Sequence, residues 1–540
     1  MTDQPVQPAR DALAPKLFTT LAEGYGAREL RADMLAGLTV AIVALPLSMA
    51  IAIASGVSPA RGLYTAIVGG FLVSALGGSR FQIGGPAGAF IVLVAGTVAA
   101  HGLDGLILAT MISGVFLAVA GLLRLGTFVK FIPFPVTVGF TAGIAAIIFA
   151  SQLVPLLGLT LSGPEPGPIL QKLPAIWRSL PTANPSTVVL SLVAVTGLVV
   201  LKRFRPRWPR MLIVVALASL AAWALGLDVA TIETAYGGIP RGFPMPALPQ
   251  VDLAKVVEVL PAAFSFALLG SIESLLSAVV ADGMTGRRHR SNTELIAQGV
   301  ANVGSGLFGG ICVTGTIART ATNVRAGAHG PVAGMAHSVF LLLFILLAAP
   351  LAGYIPLAAL AAVLAVVAWD MVEKPAIRAL VTASRGDAAV LVVTLGLTLF
   401  RDLTEAIVVG FALGALLFIH RMASAVAVHP AARAAYHEEA ADPEVVVYRV
   451  RGALFFGAVS AVGVALDRIG DAHRTLVLDF SEVTLVDSSA AHMVEGLARK
   501  AGQRGVAVFL TGAAPPLRRD LRAHGVRPRS SATPRASKPR

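Results

Sequence analysis

TGTIARTATNVRAG, residues 314–327, places Arg319 and Arg325 in a chain otherwise apolar enough to live in lipid. A lone guanidinium at membrane depth is costly, so the stretch either lies outside the membrane or has a function within it. Gly310 and Gly315 flank its start, and Gly327, Gly330 and Pro331 follow its charged end. The spacing predicts a helix of about twelve residues, a rise of about 18 Å and roughly half a membrane. A second stretch has the same form: FQIGGPAGAFIVLVAG (81–96) opens with Gly84, Gly85 and Pro86 and stays apolar only to about His101. Proline suits the first turn of a helix, and the two glycines let a neighbouring backbone come close.

Working outward, the chain of 540 residues is 56% hydrophobic and only 14% charged, with a mean hydropathy of +0.77. Apolar segments of spanning or half-spanning length lie near residues 34–54, 62–77, 86–100, 103–123, 128–155, 184–201 and 209–226. Seven more lie near 259–282, 293–309, 314–325, 329–349, 353–369, 385–401 and 403–420. A polytopic α-helical membrane protein of about fourteen segments is expected. The first 30 or so residues show no pattern of a removable signal peptide. The single cysteine, Cys312, rules out an intramolecular disulfide framework.

A net charge of +13 raises the question of nucleic acid. The charge sits in loops and the C-terminal tail, without a basic groove interleaved with aromatics, so no nucleic acid is expected. The positive-inside rule accounts for it instead. With the N-terminus inside, even-numbered connections should be basic, and they carry KRFRPRWPR (202–210), RRHR (287–290) and Lys374, Arg378 and Arg385. Odd-numbered connections such as 155–182 and 227–255 are Pro/Gly-rich and nearly uncharged. The N-terminus and C-terminal region are therefore expected in the cytoplasm, with the segments crossing the cytoplasmic membrane.

Half-length helices at the third and tenth positions fit two inverted repeats of seven segments. In that arrangement both helix starts lie near the midplane, offering unpaired N–H groups and a partial positive charge to an anion. The expected binding groups are the amides around Ala87, Gly88 and Ala89 and those around Ile317, Ala318 and Arg319, with the Arg319 guanidinium beside them. Close helix packing at the glycines, and an arginine held by backbone carbonyls, are the structural alternatives. Arg325, at the far end of its helix, reads as structural.

The eighth segment, FSFALLGSIESLLSAVV, carries Glu273 well inside it. An intramembrane carboxylate is a functional candidate, since burial and a nearby arginine act on its protonation in opposite senses. Glu273 is expected to carry or gate a coupling proton; permanent pairing with Arg319 is the alternative. Ser277, one turn on, either assists by hydrogen bonding or bonds its own helix. No HExxH, nucleophile elbow or Walker-type loop is present, so neither catalysis, a cofactor nor a metal is expected.

Composition changes near residue 443. VVVYRVRGALFFG (445–457), RTLVLDFS (474–481) and VAVFLTG (507–513) read as strands, with helical patterns such as SAAHMVEGLARKAG (489–502) between them. The expected organisation is an N-terminal segment 1–33, a transmembrane domain 34–422, a linker 423–443, an α/β domain 444–525 and a disordered basic tail 526–540.

On these residues the chain resembles a sulfate permease (SulP) anion transporter. The likeness rests on ALPLSMAIAIASGVSPARGLYTAIVGG (44–70), GGSRFQIGGPAGAF (77–90), ADGMTGRRHRSNTELIAQGVANVGSGLFGG (281–310) and RTATNVRAGAHGPVAG (319–334). It implies a mobile core and a scaffolding gate, a homodimer, and elevator-like movement of a small anion: sulfate, bicarbonate or a dicarboxylate. By position the family's anion site falls on Ala87 and Gly88, on Ala318 and Arg319, and on Glu273. The glutamate resembles that of proton-coupled members; sodium-coupled bicarbonate uptake and an uncoupled exchanger or channel are the alternatives. Leu47 and Ala318 depart from side-chain donors found in other members, which leaves recognition to amides and Arg319. The C-terminal region resembles a STAS domain, a candidate contact for a cytoplasmic protein. Its Asp487 and Ser488 match a phosphorylation motif, with Ser488 the candidate phosphosite, although Ala490 replaces the usual glycine and a plain N-cap gives the same residues.

Overall fold

In lipid every backbone polar group must be satisfied within its own segment, so apolar runs of this length become helices. The computed structural model describes residues 13–128, 132–163, 165–206, 208–249, 252–401, 403–430, 444–456, 474–524 and 526. Two compact units divide the chain, Met1–Phe411 and Ala412–Arg540.

In the first unit a short helix α1 (Lys16–Ala22) precedes α2 (Ala27–Ala54) and α3 (Pro59–Leu76). A two-residue strand β1 (Gly84–Gly85) leads into α4 (Gly88–Leu122), which breaks at Gly102 with φ 68° and ψ −172°. That break leaves a short arm, 88–101, and a long arm, 103–122. Next come α5 (Phe134–Leu157), α6 (Ile169–Ser179), α7 (Pro185–Phe204), α8 (Arg210–Ala224) and α9 (Ile232–Tyr236). The second half begins with α10 (Leu253–Thr285) and α11 (Ser291–Leu307), and strand β2 (Thr314–Gly315) then opens the nine-residue α12 (Ile317–Arg325). After these follow α13 (Val332–Gly353), α14 (Leu357–Met371), α15 (Lys374–Ala383), α16 (Arg385–Phe400) and α17 (Leu403–Ser424), within which the division between the units falls.

With α4 counted as two arms and α1, α6, α9 and α15 set aside as connecting helices, the described residues hold fourteen segments. Several boundaries move. The first segment begins at Ala27 because the charged run RELRAD still favours helix. The fifth begins at Phe134 instead of 128, after Pro133. Residues 314–315 of the tenth are strand, so its helix is shorter than twelve residues.

Contacts between the ends of segments obey the parity that fourteen crossings require. Around the N-terminal stretch gather Arg80 of the second connection, Arg290 of the eighth and His329 of the tenth. Arg80 pairs with Glu23, Arg290 Nη1 donates to the Ala14 carbonyl at 2.6 Å, and the Gly330 amide donates to Asp33 at 3.1 Å. On the opposite side Arg61 donates to the Gly309 carbonyl at 2.6 Å, and Thr231 bridges Pro356. Even-numbered connections meet even, and odd meet odd.

Packing sorts the helices into two groups. The long arm of α4 lies against α10 and α11, and α13 lies against α2 and α3. In the other group α5 packs on α14 and α16, and α7 packs on α8 and α14. The α4–α11 seam is backbone against backbone: a Cβ on Gly114 would stand 2.6 Å from the Gly299 carbonyl oxygen. Small residues at such a seam are what brings membrane helices into van der Waals contact.

The second unit carries a four-stranded sheet in the order β3 (Ala427–Pro430), β4 (Val445–Leu454), β5 (Thr475–Val486), β6 (Ala507–Thr511). β3 is antiparallel to β4, whereas β4, β5 and β6 run parallel. Helices α18 (Ser488–Gln503) and α19 (Pro515–Ala523) join it, with Leu478, Phe480, Val494 and Leu517 in its core. The expected α/β arrangement is present, with one correction: part of the expected linker 423–443 is strand β3. Val426 and Val428 alternate there, and cross-strand pairing with β4 holds a run too short to stand alone. Residues 431–443 of that linker, and the tail beyond Val526, lie outside the described residues.

Candidate functional site

Two unwound stretches cross one another in the first unit. Gly84 pairs with Gly315 and Gly85 with Thr314 in an antiparallel ribbon, and the Thr316 amide donates to the Ile83 carbonyl at 3.1 Å. The crossing leaves no room for side chains. A Cβ on Gly315 would stand 1.6 Å from Gln82 Nε2, and one on Gly85 would stand 1.9 Å from Arg319 Nη1. Buried polar side chains pin the approach. Asn302 donates to the Val313 carbonyl at 2.8 Å and accepts from its amide at 3.0 Å. Thr314 donates to the Gly270 carbonyl of α10 at 3.2 Å.

From the ribbon each chain turns directly into a helix. Ala87 (φ −114°, ψ 146°) caps the tight turn Gly88–Phe90 that starts the short arm of α4. Thr316 (φ −108°, ψ 126°) caps α12. The first-turn amides of Gly88 and Ala89, and of Ile317, Ala318 and Arg319, are those a helix start leaves without an intrahelical acceptor. Both positive dipole ends therefore lie at one crossing. Ala87 and Ala89 are buried and Gly88 partly so, whereas Ile317 and Ala318 are exposed.

Arg319 leaves the first turn of α12 and reaches across the ribbon. Its Nη2 donates to Ser48 Oγ of α2 at 3.1 Å and to the Pro86 carbonyl, just before the other helix, at 3.2 Å. At 1% exposure the side chain is fully buried, yet Nε and Nη1 have no hydrogen-bond partner among the described residues. Among the described residues no carboxylate pairs with it. One face of the guanidinium is thus held by the protein, and its remaining donors are unspent.

Glu273 lies three residues beyond Gly270, which touches the ribbon, and one turn before Ser277, which touches α12. It stands on the flank of the α10 stripe that faces the crossing. It is partly exposed and makes no hydrogen bond or ion pair to a described residue. The alternative of permanent pairing with Arg319 is therefore not what the structure has. Of the two readings of Ser277, the bond to its own helix is not what the structure has either. Its hydroxyl donates to Thr320 Oγ1 at 3.0 Å, neither to its own helix nor to Glu273, and Thr320 accepts from the Ile83 amide at 3.2 Å. Ser277 braces the ribbon.

Sequence reasoning missed Ser48, Thr320, Asn302 and His337. A polar residue at membrane depth was the available signal for each, but not its surroundings: Ser48 meets Arg319 and Thr320 meets the Ile83 amide from the other half of the sequence. Arg325 ends α12 and is exposed, as a dipole-complementing cation would be. In the second unit Asp487 caps α18 by accepting from the Ala490 amide at 2.8 Å, and Ser488 lies exposed in its first turn.

Comparison with known proteins fits this arrangement. The sulfate permease family model matches residues 30–394, and a STAS domain model matches residues 437–533. The chain is 38% identical to the putative sulfate transporter YvdB of Bacillus subtilis, over 92% of this chain and 94% of that protein. It is 30% identical to the bicarbonate transporter BicA of Picosynechococcus, over 92% and 90% respectively. The solved transmembrane domain of a cyanobacterium bicarbonate transporter BicA aligns at a TM-score of 0.64 and 32% identity, over 71% of this chain and 98% of that one. SLC26A9 shares the fold at a TM-score of 0.83 and 20% identity, over 95% and 89%.

Proposed function

The chain belongs to the sulfate permease family of anion transporters, and on that premise we propose secondary active, proton-coupled uptake of sulfate, bicarbonate or a dicarboxylate. The observation that carries the reading is the ribbon: it sets two helix starts and the Arg319 guanidinium at one point. A small anion there accepts from the amides around Ala87, Gly88, Ala89, Ile317, Ala318 and Arg319 and meets the arginine charge. Hydrogen bonds to a charged group contribute about 1.5–3 kcal/mol each.

Glu273 supplies the coupling. Ionised, a carboxylate beside the site repels an incoming anion; protonated, it does not. Anion and proton therefore favour each other's binding, which is the thermodynamic requirement for symport. Elevator-like access follows if the α4–α10–α11 group, with the ribbon, travels against the α5–α14–α16 group. The basic even-numbered connections support placing that face, both termini and the STAS domain in the cytoplasm, in a homodimer of the cytoplasmic membrane. Ser488 and the STAS surface are the places for phosphorylation or a protein partner.

Proteoliposomes loaded against sulfate, bicarbonate, fumarate and succinate, with and without pH and sodium gradients, test this directly. Uptake driven by an inward proton gradient is expected, and Glu273→Gln should transport without that dependence. Full gradient dependence in Glu273→Gln removes the coupling role. Anion current far above carrier turnover in the wild type replaces the carrier with a channel.

A further inference from the structure

The ends of α7, α8 and α14 meet at one carboxylate. Asp370, one residue before α14 ends, accepts from Lys202 Nζ of α7 at 2.6 Å and from Arg210 Nη2 of α8 at 3.1 Å. The two stretches joined in this way, 202–210 and 369–387, hold eight Lys and Arg against three Asp and Glu. One of those acids is already shared by two of the cations, so the patch stays strongly positive.

Much of that charge is turned outward. Arg203, Arg205, Lys374, Arg378 and Arg385 are exposed, and among the described residues no carboxylate pairs with any of them. Two of the five stand on α15, which has no buried residue. Helical spacing puts Lys374, Arg378 and Thr382 on one side of α15, and Ile377 and Leu380, both partly buried, on the other.

Aromatic rings stand among the cations. Phe204 ends α7, Trp208 follows it and Trp369 lies near the end of α14, each more than half exposed. Both indoles carry a cation over the ring: Lys374 Nζ lies 3.6 Å from the Trp369 centroid, and the Arg205 guanidinium carbon lies 6.0 Å from that of Trp208. An exposed indole where an apolar helix leaves the membrane belongs at headgroup level, with its ring towards the acyl chains and its polar edge in water. Phosphate is the group that a cation meets there, and a surplus of unpaired cations selects lipids of net negative charge.

We propose that this patch is a binding site for anionic phospholipid, with Trp208 and Trp369 at the acyl boundary and Arg205, Lys374 and Arg378 on the headgroup phosphate. The helices α7, α8 and α14 that carry it belong to the same packing group as α5 and α16, and α15 packs on α16. Bound lipid therefore ties that group to one leaflet. That the leaflet is the cytoplasmic one rests on the orientation proposed above; the lipid binding does not.

Native mass spectrometry of the full chain in detergent, titrated with phosphatidylglycerol or with phosphatidylcholine of the same acyl chains, tests the site. Phosphatidylglycerol should bind more tightly. Arg205→Gln, Lys374→Gln and Arg378→Gln should each weaken it about fivefold, the worth of one cation at an anionic surface, and leave phosphatidylcholine unchanged. Arg241→Gln removes an exposed cation from an odd-numbered connection and should change neither. Equal affinity for the two lipids, or an equal loss in Arg241→Gln, overturns the proposal. The leaflet is decided separately. Cys312 is buried, so an impermeant maleimide added to sealed inside-out vesicles should label Arg378→Cys. Labelling only in right-side-out vesicles overturns the orientation and leaves the lipid result standing.

Discussion

Gly85 and the Arg319 guanidinium lie so close that they exclude a methyl group between them: a Cβ on residue 85 would stand 1.9 Å from Nη1. Glycine here is the condition for the arginine's reach across the ribbon. Gly85→Ala should displace the side chain from Ser48 and Pro86, abolish uptake and cost about 1–3 kcal/mol of stability. Uptake assays and thermal melts of the purified variant check it, and wild-type behaviour in both would refute the placement.

Gly88, three residues on, is different. A Cβ there would meet only Ile148 Cδ1 at 3.6 Å and Met371 Sδ at 3.7 Å, ordinary contacts. Gly88→Ala should melt like the wild type while narrowing the site, so KM should rise more for succinate than for bicarbonate. A melting loss comparable to that of Gly85→Ala would contradict this.

Asn302 holds both backbone groups of Val313 and the Gln298 carbonyl, all buried. Asn302→Ala leaves the Val313 amide and carbonyl unsatisfied, while the Gln298 carbonyl keeps its helical bond, and should cost about 2–3 kcal/mol. Thermal unfolding in detergent measures it; a loss within experimental error would mean that the ribbon does not depend on this bracket.

Docking of α1 should weaken in acid. The hydrogen bond from Arg80 holds the Glu23 carboxyl below the usual carboxylate range, and the charges of Arg80 and Arg287 add to this. A depressed folded value means that the docked state binds fewer protons. Its contribution is complete above the free-glutamate value of about 4.3 and disappears as pH falls through the lowered one. Hydrogen exchange over residues 16–22, corrected for intrinsic rates, should show protection falling in that window. Glu23→Gln should remove the pH dependence, and a wild-type profile in the variant would sink the assignment.

The helical frame can be read in the sequence because its determinants are local. Apolar run length, loop charge, and Gly84–Gly85–Pro86 and Gly315 ahead of short helices announce the two half-length segments. Partner choice is not local. Nothing near Ser277 says that its hydroxyl will reach Thr320, and nothing near Arg319 names Ser48. The four residues of β3 are decided by pairing with β4, so their own composition reads as linker. His337 illustrates the remaining gap: an apolar helix predicts burial, but not whether a buried ring finds a partner.

Gly102 has a mechanical corollary. A single residue with positive φ joins the half-length arm of α4 to its full-length successor, so the two arms are tied end to end. Whatever displaces one must drag the other, together with the α11 backbone pressed against Gly114. In the proposed carrier stroke both arms and the α11 backbone therefore travel as one block, with hinges at its edges.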